Sequence, residues 1–300
     1  MLKLFNMYFL LLSIVSSSLI IVVFKLIGRY RANTLSAIII NYPVACIAGF
    51  FLANSSPISE LTESYLWFYI AAFLGVLFIG MFWLIGTSTI KAGISITTVA
   101  AKMSVIIPIT YSIWIDPNDS LSIIKLSGIL LAIAAVLMAV YKKGNGAQSK
   151  QALILPLSIF VGLGIMDSIV KYSQLNFLTS SLTPIFTASS FGFAFVVGLL
   201  ILPFNHSAAK DMLKLKSWII GIPLGLLNFG SMYFLIRALA HINIESNSTT
   251  VSSIIFGINN ISIVALSVLI GFTIFKERPT KLNWVGICLS GVAIIILAYS

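Results

Sequence analysis

The sequence predicts an all-α membrane protein with ten transmembrane helices arranged as two inverted five-helix repeats. Three observations carry this expectation: apolar runs of membrane-crossing length, short turn-rich connections between them, and ordered internal repetition. Of the 300 residues, 59% are hydrophobic and 9% charged, and the mean hydropathy is +1.08. A soluble domain would carry about 25% charged residues.

A bilayer core of about 30 Å needs about 20 apolar helical residues. Runs of that kind occupy residues 8–26, 35–53, 65–90, 94–115, 121–141, 153–175, 183–203, 217–239, 248–274 and 282–299. The connections carry turn chemistry, as in "ANSSPISE", "DPNDS", "KKGNGAQSK" and "FKERPTK". None is long enough to hold a soluble domain. No small-residue cleavage site follows the first run, so a removable signal peptide is not expected.

Span 1 carries Ser16, Ser17 and Ser18 and closes on Phe24-Lys25; span 2 places Asn41 and Tyr42 before Pro43. Span 3 contains Trp83 and ends on Ser88-Thr89, and span 4 opens with Thr97-Thr98, continues to Lys102 and contains Pro108. Asp167 and Lys171 lie four residues apart in span 6. Span 8 contains Gly221, Pro223, Gly225, Asn228 and Tyr233, with Arg237, His241 and Glu245 clustered where it ends. Gly257, Asn259 and Asn260 fall inside span 9. Prolines inside spans 4 and 8 predict kinks there, and Gly221 with Gly225 permits close helix contact.

Met81-Phe82-Trp83-Leu84-Ile85 recurs as Met232-Tyr233-Phe234-Leu235-Ile236, and Thr97-Thr98-Val99 as Thr249-Thr250-Val251. Gly128 answers to Gly286, Leu12-Ser13-Ile14 to Leu157-Ser158-Ile159, and Lys25 to Lys171. The order is kept while the offsets drift with loop length. Residues 1–145 form one five-helix repeat and 151–300 the second, together one membrane domain. An odd number of helices per repeat inverts the second relative to the first, a design typical of secondary transporters with a midplane site.

Lys and Arg exceed Asp and Glu by 18 to 8. The basic residues gather in short connections and not along a polar face, which argues against nucleic acid as a partner. After odd-numbered spans lie Lys25, Arg29, Arg31, Lys91, Lys142, Lys143, Lys150, Lys210, Lys214, Lys216, Lys276, Arg278 and Lys281; the other side has Lys3, Lys125, Lys171 and Arg237, with Glu60, Glu63, Asp116 and Asp119 in its connections. The positive-inside rule then places both termini outside. Cys46 and Cys288 lie inside apolar runs and read as core thiols.

Ten spans in two repeats, Phe24-Lys25 closing the first, and the acidic residue of "FKERPTKLNWVGICLSGVAIIIL" ahead of a glycine-bearing last span resemble the drug/metabolite transporter superfamily, in its EamA-like branch. The resemblance covers the whole chain and is strongest over residues 230–298. It implies export or exchange of small metabolites through a central cavity lined by spans 1, 3, 4, 6, 8 and 9. It also implies cytoplasmic termini, against the charge count. Ser16-Ser17-Ser18 replaces the family's Trp-Gly pair, and span 9 lacks its usual proline. Asp119, the acidic residue after span 4, aligns with Glu277 in the register set by Gly128 and Gly286, although the connection before it is shortened.

Asp167 and Lys102 are the expensive residues, because an ionised side chain inside hydrocarbon costs at least about 2.5–3.5 kcal/mol unless it faces protein, water or a partner. Asp167 is read either as half of an intrahelical pair with Lys171 or as a proton, cation or substrate-amine site. Lys102 either snorkels or receives a substrate carboxylate. Asn41, Trp83, Thr98, Asn228, Tyr233 and Asn260 complete the candidate substrate site, each weighed against a role as helix glue. Asp167, Lys171, Arg237 and Glu245 are the candidate coupling or gating residues.

The chain has no HExxH or GxSxG motif and no clustered acids for a metal, so neither enzyme chemistry nor a cofactor is expected. The expected function is a secondary transporter of amino acids or related zwitterions in a bacterial inner membrane, working by alternating access, with a proton gradient as candidate driving force. The alternatives are a carrier of drugs, nucleosides or organic cations, or a passive facilitator. A small molecule and the bilayer are the expected partners, and monomer and homodimer are both compatible with the sequence.

Overall fold

The computed structural model describes residues 2–52, 65–115, 121–141, 147–176, 178, 182–240 and 249–299. Glu60, Glu63, Asp116, Asp119, Lys142, Lys143, His241 and Glu245 lie outside these residues, and only the helical backbone is described at Lys3, Lys150 and Lys171.

Among the described residues all regular structure is helical: α1 (Leu2–Arg29), α2 (Thr34–Phe51), α3 (Leu66–Lys91), α4 (Ile94–Met103), α5 (Ile106–Ile115), α6 (Ile123–Val140), α7 (Ala147–Asn176), α8 (Leu182–Ile201), a 3₁₀ turn (Leu202–Phe204), α9 (His206–Met212), α10 (Leu215–Ala240), α11 (Thr249–Thr273) and α12 (Lys281–Ala298). Among the described residues nine stretches are long and apolar enough to cross a membrane, and Gly257–Thr273 adds a shorter apolar helix. This length and composition mark an integral membrane protein.

Helix starts follow local chemistry. The Asn33 side chain accepts from the Leu35 and Ser36 amides, Ser122 caps α6, and Thr280 and Asn283 form a capping box on α12. Gly93, with φ of 111°, turns the chain from α3 into α4.

Span 4 departs from its expected form. Residues 94–115 were expected as one helix kinked at Pro108, but the helix stops at Met103 and restarts at Ile106. The cause is Pro108, whose ring lacks an N–H and collides with the carbonyl four residues back, which is that of Ser104. Ile107 N donates instead to Ser104 O at 3.0 Å, a tighter turn. The first helix of the second half also starts earlier than expected, at Ala147 and not 153.

Two apolar cores result. One joins α1, α2, α3, α7, α8 and α10 around Phe24, Tyr42, Trp67 and Phe191, and the other joins α4, α5, α6, α11 and α12 around Val99, Met103, Val136 and Val268. Gly221 and Gly225 let α10 press on α2: a Cβ at Gly225 would lie 2.6 Å from Asn41 O. Large apolar side chains such as Phe73, Leu200 and Leu226 stay exposed on the outside of the bundle, which is where a bilayer would cover them.

Candidate functional site

The break between α4 and α5 opens onto a cavity of about 220 Å³. Lys102 lines it from the end of α4, Ser104 and Val105 from the break, Asp167 from α7, Asn259 and Asn260 from α11, Ser17 from α1, and Ser231, Met232 and Leu235 from α10. Counting from Ile94, Lys102 lies roughly 12 Å along its helix at 1.5 Å per residue. Asp167 is exposed and Lys102 half-buried, and the two form no ion pair with each other. Asn259 is 2% exposed, and its side-chain oxygen accepts no hydrogen bond. One positive group, one carboxyl group and two carboxamides therefore face a volume below the ~300–1,000 Å³ usual for drug-sized ligands.

The structure brings together three of the candidate substrate residues, Lys102, Asp167 and Asn260, and places the other five elsewhere. Asn228 donates to Asn41 Oδ1 at 3.2 Å in a buried pair joining α10 to α2. Thr98 returns its hydroxyl to Ile94 O at 2.9 Å. Tyr233 stacks on Phe229 with ring centroids 5.5 Å apart, and the Arg237 guanidinium lies 5.6 Å from the Phe9 ring and 6.0 Å from that of Tyr233. Trp83 is 46% exposed, because Met81 and Ile85 take the buried stripe of α3 and a residue two positions on points away. Of the coupling candidates, Asp167 lines the cavity, Arg237 is exposed at the α1–α10 contact, and the Lys171 side chain and Glu245 lie outside the described residues.

Sequence reasoning missed Ser104 and Ser231, because hydroxyls are common in apolar helices and neither has a distinguishing neighbour. It also missed a second constellation. Lys25 Nζ lies 2.9 Å from Glu277 Oε1 and 3.3 Å from Thr89 O. The Glu277 carboxylate further accepts from Ile94 N at 2.7 Å, Ser95 N at 3.3 Å and Ser95 Oγ at 3.2 Å. Amides at the start of α4 favour an anion there. The sequence signal was available in part: Lys25 and Glu277 were both singled out, but 252 residues separate them.

No family model matches the chain. An uncharacterized protein of Haemophilus influenzae is 30% identical over 233 residues, covering 75% of this chain and 74% of that protein. One solved crystal structure of a protein aligns with a TM-score of 0.52 at 11% identity, over 95% of this chain and 97% of that one. That likeness concerns the fold alone.

Proposed function

This chain belongs to the same family as that Haemophilus influenzae protein, and we propose that it is a secondary transporter of small metabolites, with amino acids or related zwitterions as substrates. The observation that carries the reading is the cavity at the α4–α5 break. Lys102 offers a partner for a carboxylate and Asp167 one for an ammonium, with Asn259 and Asn260 beside them. Broken helices in carriers turn backbone groups toward a substrate at the midplane. A 220 Å³ space favours a small molecule over a drug.

The proposal includes ten spans in two inverted repeats and membership of the EamA-like branch of the drug/metabolite transporters. The contact between α6 and α12 supports the repeat. A Cβ at Gly128 would lie 2.8 Å from Leu297, and one at Gly286 would collide with Ala139 N. The offset that carries Gly128 to Gly286 also carries Ala139 to Leu297, so the two contacts exchange as an isologous pair should. The start of each helix meets the end of the other, so the pair is antiparallel. Membrane and orientation follow the same reading: a bacterial inner membrane, with the basic connections inside.

The test is electrogenic transport by the purified protein in proteoliposomes, screening L-amino acids, nucleosides and small cations with and without a pH gradient. A current with an amino acid that rises with the gradient and vanishes in Asp167→Asn supports the zwitterion carrier. Currents only with nucleosides or organic cations, or flux indifferent to the gradient, would replace it with the corresponding alternative.

A further inference from the structure

We infer that Glu277 is the latch of a gate: its carboxylate staples together the ends of three cavity helices, and the cavity opens to that face only when the staple releases. The inference rests on the transport reading, since a gate presupposes a pathway.

The three stapled elements are walls of the same cavity. On α1, Ser17 lines the cavity and Lys25 holds the carboxylate, eight residues or roughly 12 Å further along. On α4, Lys102 lines the cavity, and Ser95, roughly 10 Å before it, donates through both its amide and its hydroxyl. On α11, Asn259 and Asn260 line the cavity, and the far end is tied to the latch through Glu277 N donating to Gly271 O at 2.9 Å. Lys25 Nζ reaches a fourth helix by donating to Thr89 O near the end of α3. Helices move as rods, so a path from the cavity to this face requires Lys25, Ser95 and Gly271 to separate. Every such separation breaks a bond to Glu277, at its carboxylate for Lys25 and Ser95 or at its backbone amide for Gly271.

The slot around that carboxylate is built to fit it. A Cβ at Gly93 would lie 3.0 Å from Glu277 Oε1, and a Cβ at Gly271 would lie 2.8 Å from Oε2. Both neighbours are glycines, and the one at 93 is also needed for its φ of 111°. The carboxylate is held by side-chain, hydroxyl and amide donors from two other elements, yet Lys25 and Glu277 keep 21% and 14% exposure. Water can therefore reach the pair as it parts, which makes release feasible in a way that a fully dry ion pair would not be.

The experiment reads access without needing the substrate. Ser17→Cys is placed in a background carrying Cys46→Ser and Cys288→Ser, and is labelled with a membrane-impermeant maleimide in vesicles of each sidedness. Lys214→Cys in the same background marks the face of the latch. With Glu277 intact, Ser17→Cys is expected to react from the opposite face and about tenfold or more slowly from the Lys214 face. Glu277→Gln is expected to raise the Lys214-face rate by about tenfold, the scale of one lost charge-assisted hydrogen bond, and to lower the opposite-face rate. Lys25→Met, which keeps the cap on α4, should do the same more weakly and decides the matter if Glu277→Gln aggregates. Fast labelling from the Lys214 face with Glu277 intact, or rates unmoved by both substitutions, would overturn the latch. A shift in labelling without transport of any compound keeps the latch and sinks the transport reading; the converse pattern does the reverse.

Discussion

Lys25 with Glu277 and Lys102 with Asp167 are the same two charges set in the same bundle, and the protein treats them in opposite ways. Glu277 receives four donors, and its lysine sits 2.9 Å away. Lys102 and Asp167 line a shared cavity without pairing, and the oxygen of Asn259 beside them accepts nothing. A charge inside a bundle is costly unless matched. Where the match is internal the charge holds helices together; where it is incomplete, the function proposed above assigns the missing partner to a ligand or a proton. On that reading, satisfaction and not charge separates a structural residue from a binding residue.

The sharpest way to break this comparison is to neutralise each pair and measure both transport and stability. Lys102→Ala and Asp167→Asn are each expected to lower transport of a small zwitterion in proteoliposomes by about 100-fold, the scale of a charge-assisted contact worth about 2.7 kcal/mol. Their melting temperatures in detergent should move little. Full transport by either folded variant would remove the cavity charges from the mechanism. Glu277→Gln differs in its stability: loss of an ion pair and of a helix cap is expected to cost about 2 kcal/mol, read as a lower melting temperature, in addition to its effect on access. If Asp167→Asn melts earlier than Glu277→Gln, the two pairs have been assigned to the wrong roles.

How much of this was legible in the sequence differs between the spans and the faces. Hydropathy found most runs to within a few residues, because a bilayer demands length and apolarity that composition cannot hide; the break in span 4 and the early start of α7 escaped it. The facing of each helix was not legible, since lipid is as apolar as a packed neighbour and the usual polar stripe is missing. Trp83 and Asn41 were therefore grouped with Lys102 and Asp167, although one is half-exposed and the other is buried in a pair with Asn228. Lys102, Asp167 and Asn260 do line one cavity, because charges and carboxamides deep in apolar runs need an interior. The pairing within the latch was not legible for another reason: Glu277 meets Lys25 only once the last connection has folded back over α1 and α4.

A smaller effect probes why the cavity sits where it does. Pro108→Ala restores an N–H and removes the clash with Ser104 O, so α4 and α5 are expected to fuse into one helix. Ser104 and Val105 would then leave their present positions in the cavity wall. Apparent substrate affinity should fall by about tenfold, the upper scale of one neutral hydrogen bond, while thermal stability rises. Unchanged affinity in a variant with a continuous helix would detach the break from substrate binding.

The smallest expected effects complete the contrast between charges that face the cavity and polar residues that only sit near it. Thr98 gives its hydroxyl to Ile94 O within its own helix, and Trp83 lies 46% exposed on the outside of α3. Neither lines the cavity. Thr98→Val and Trp83→Phe should therefore change transport by no more than about twofold, within the ±0.5 kcal/mol typical of substitutions away from special features. Both were as plausible as Asn260 on sequence alone, so the three together form a controlled set: Asn260→Leu should lose about tenfold in apparent affinity where the other two lose almost nothing. A large loss in Trp83→Phe would mean that α3 rotates toward the cavity during the cycle, and the boundary of the site would then have to be drawn from the moving protein and not from this one arrangement.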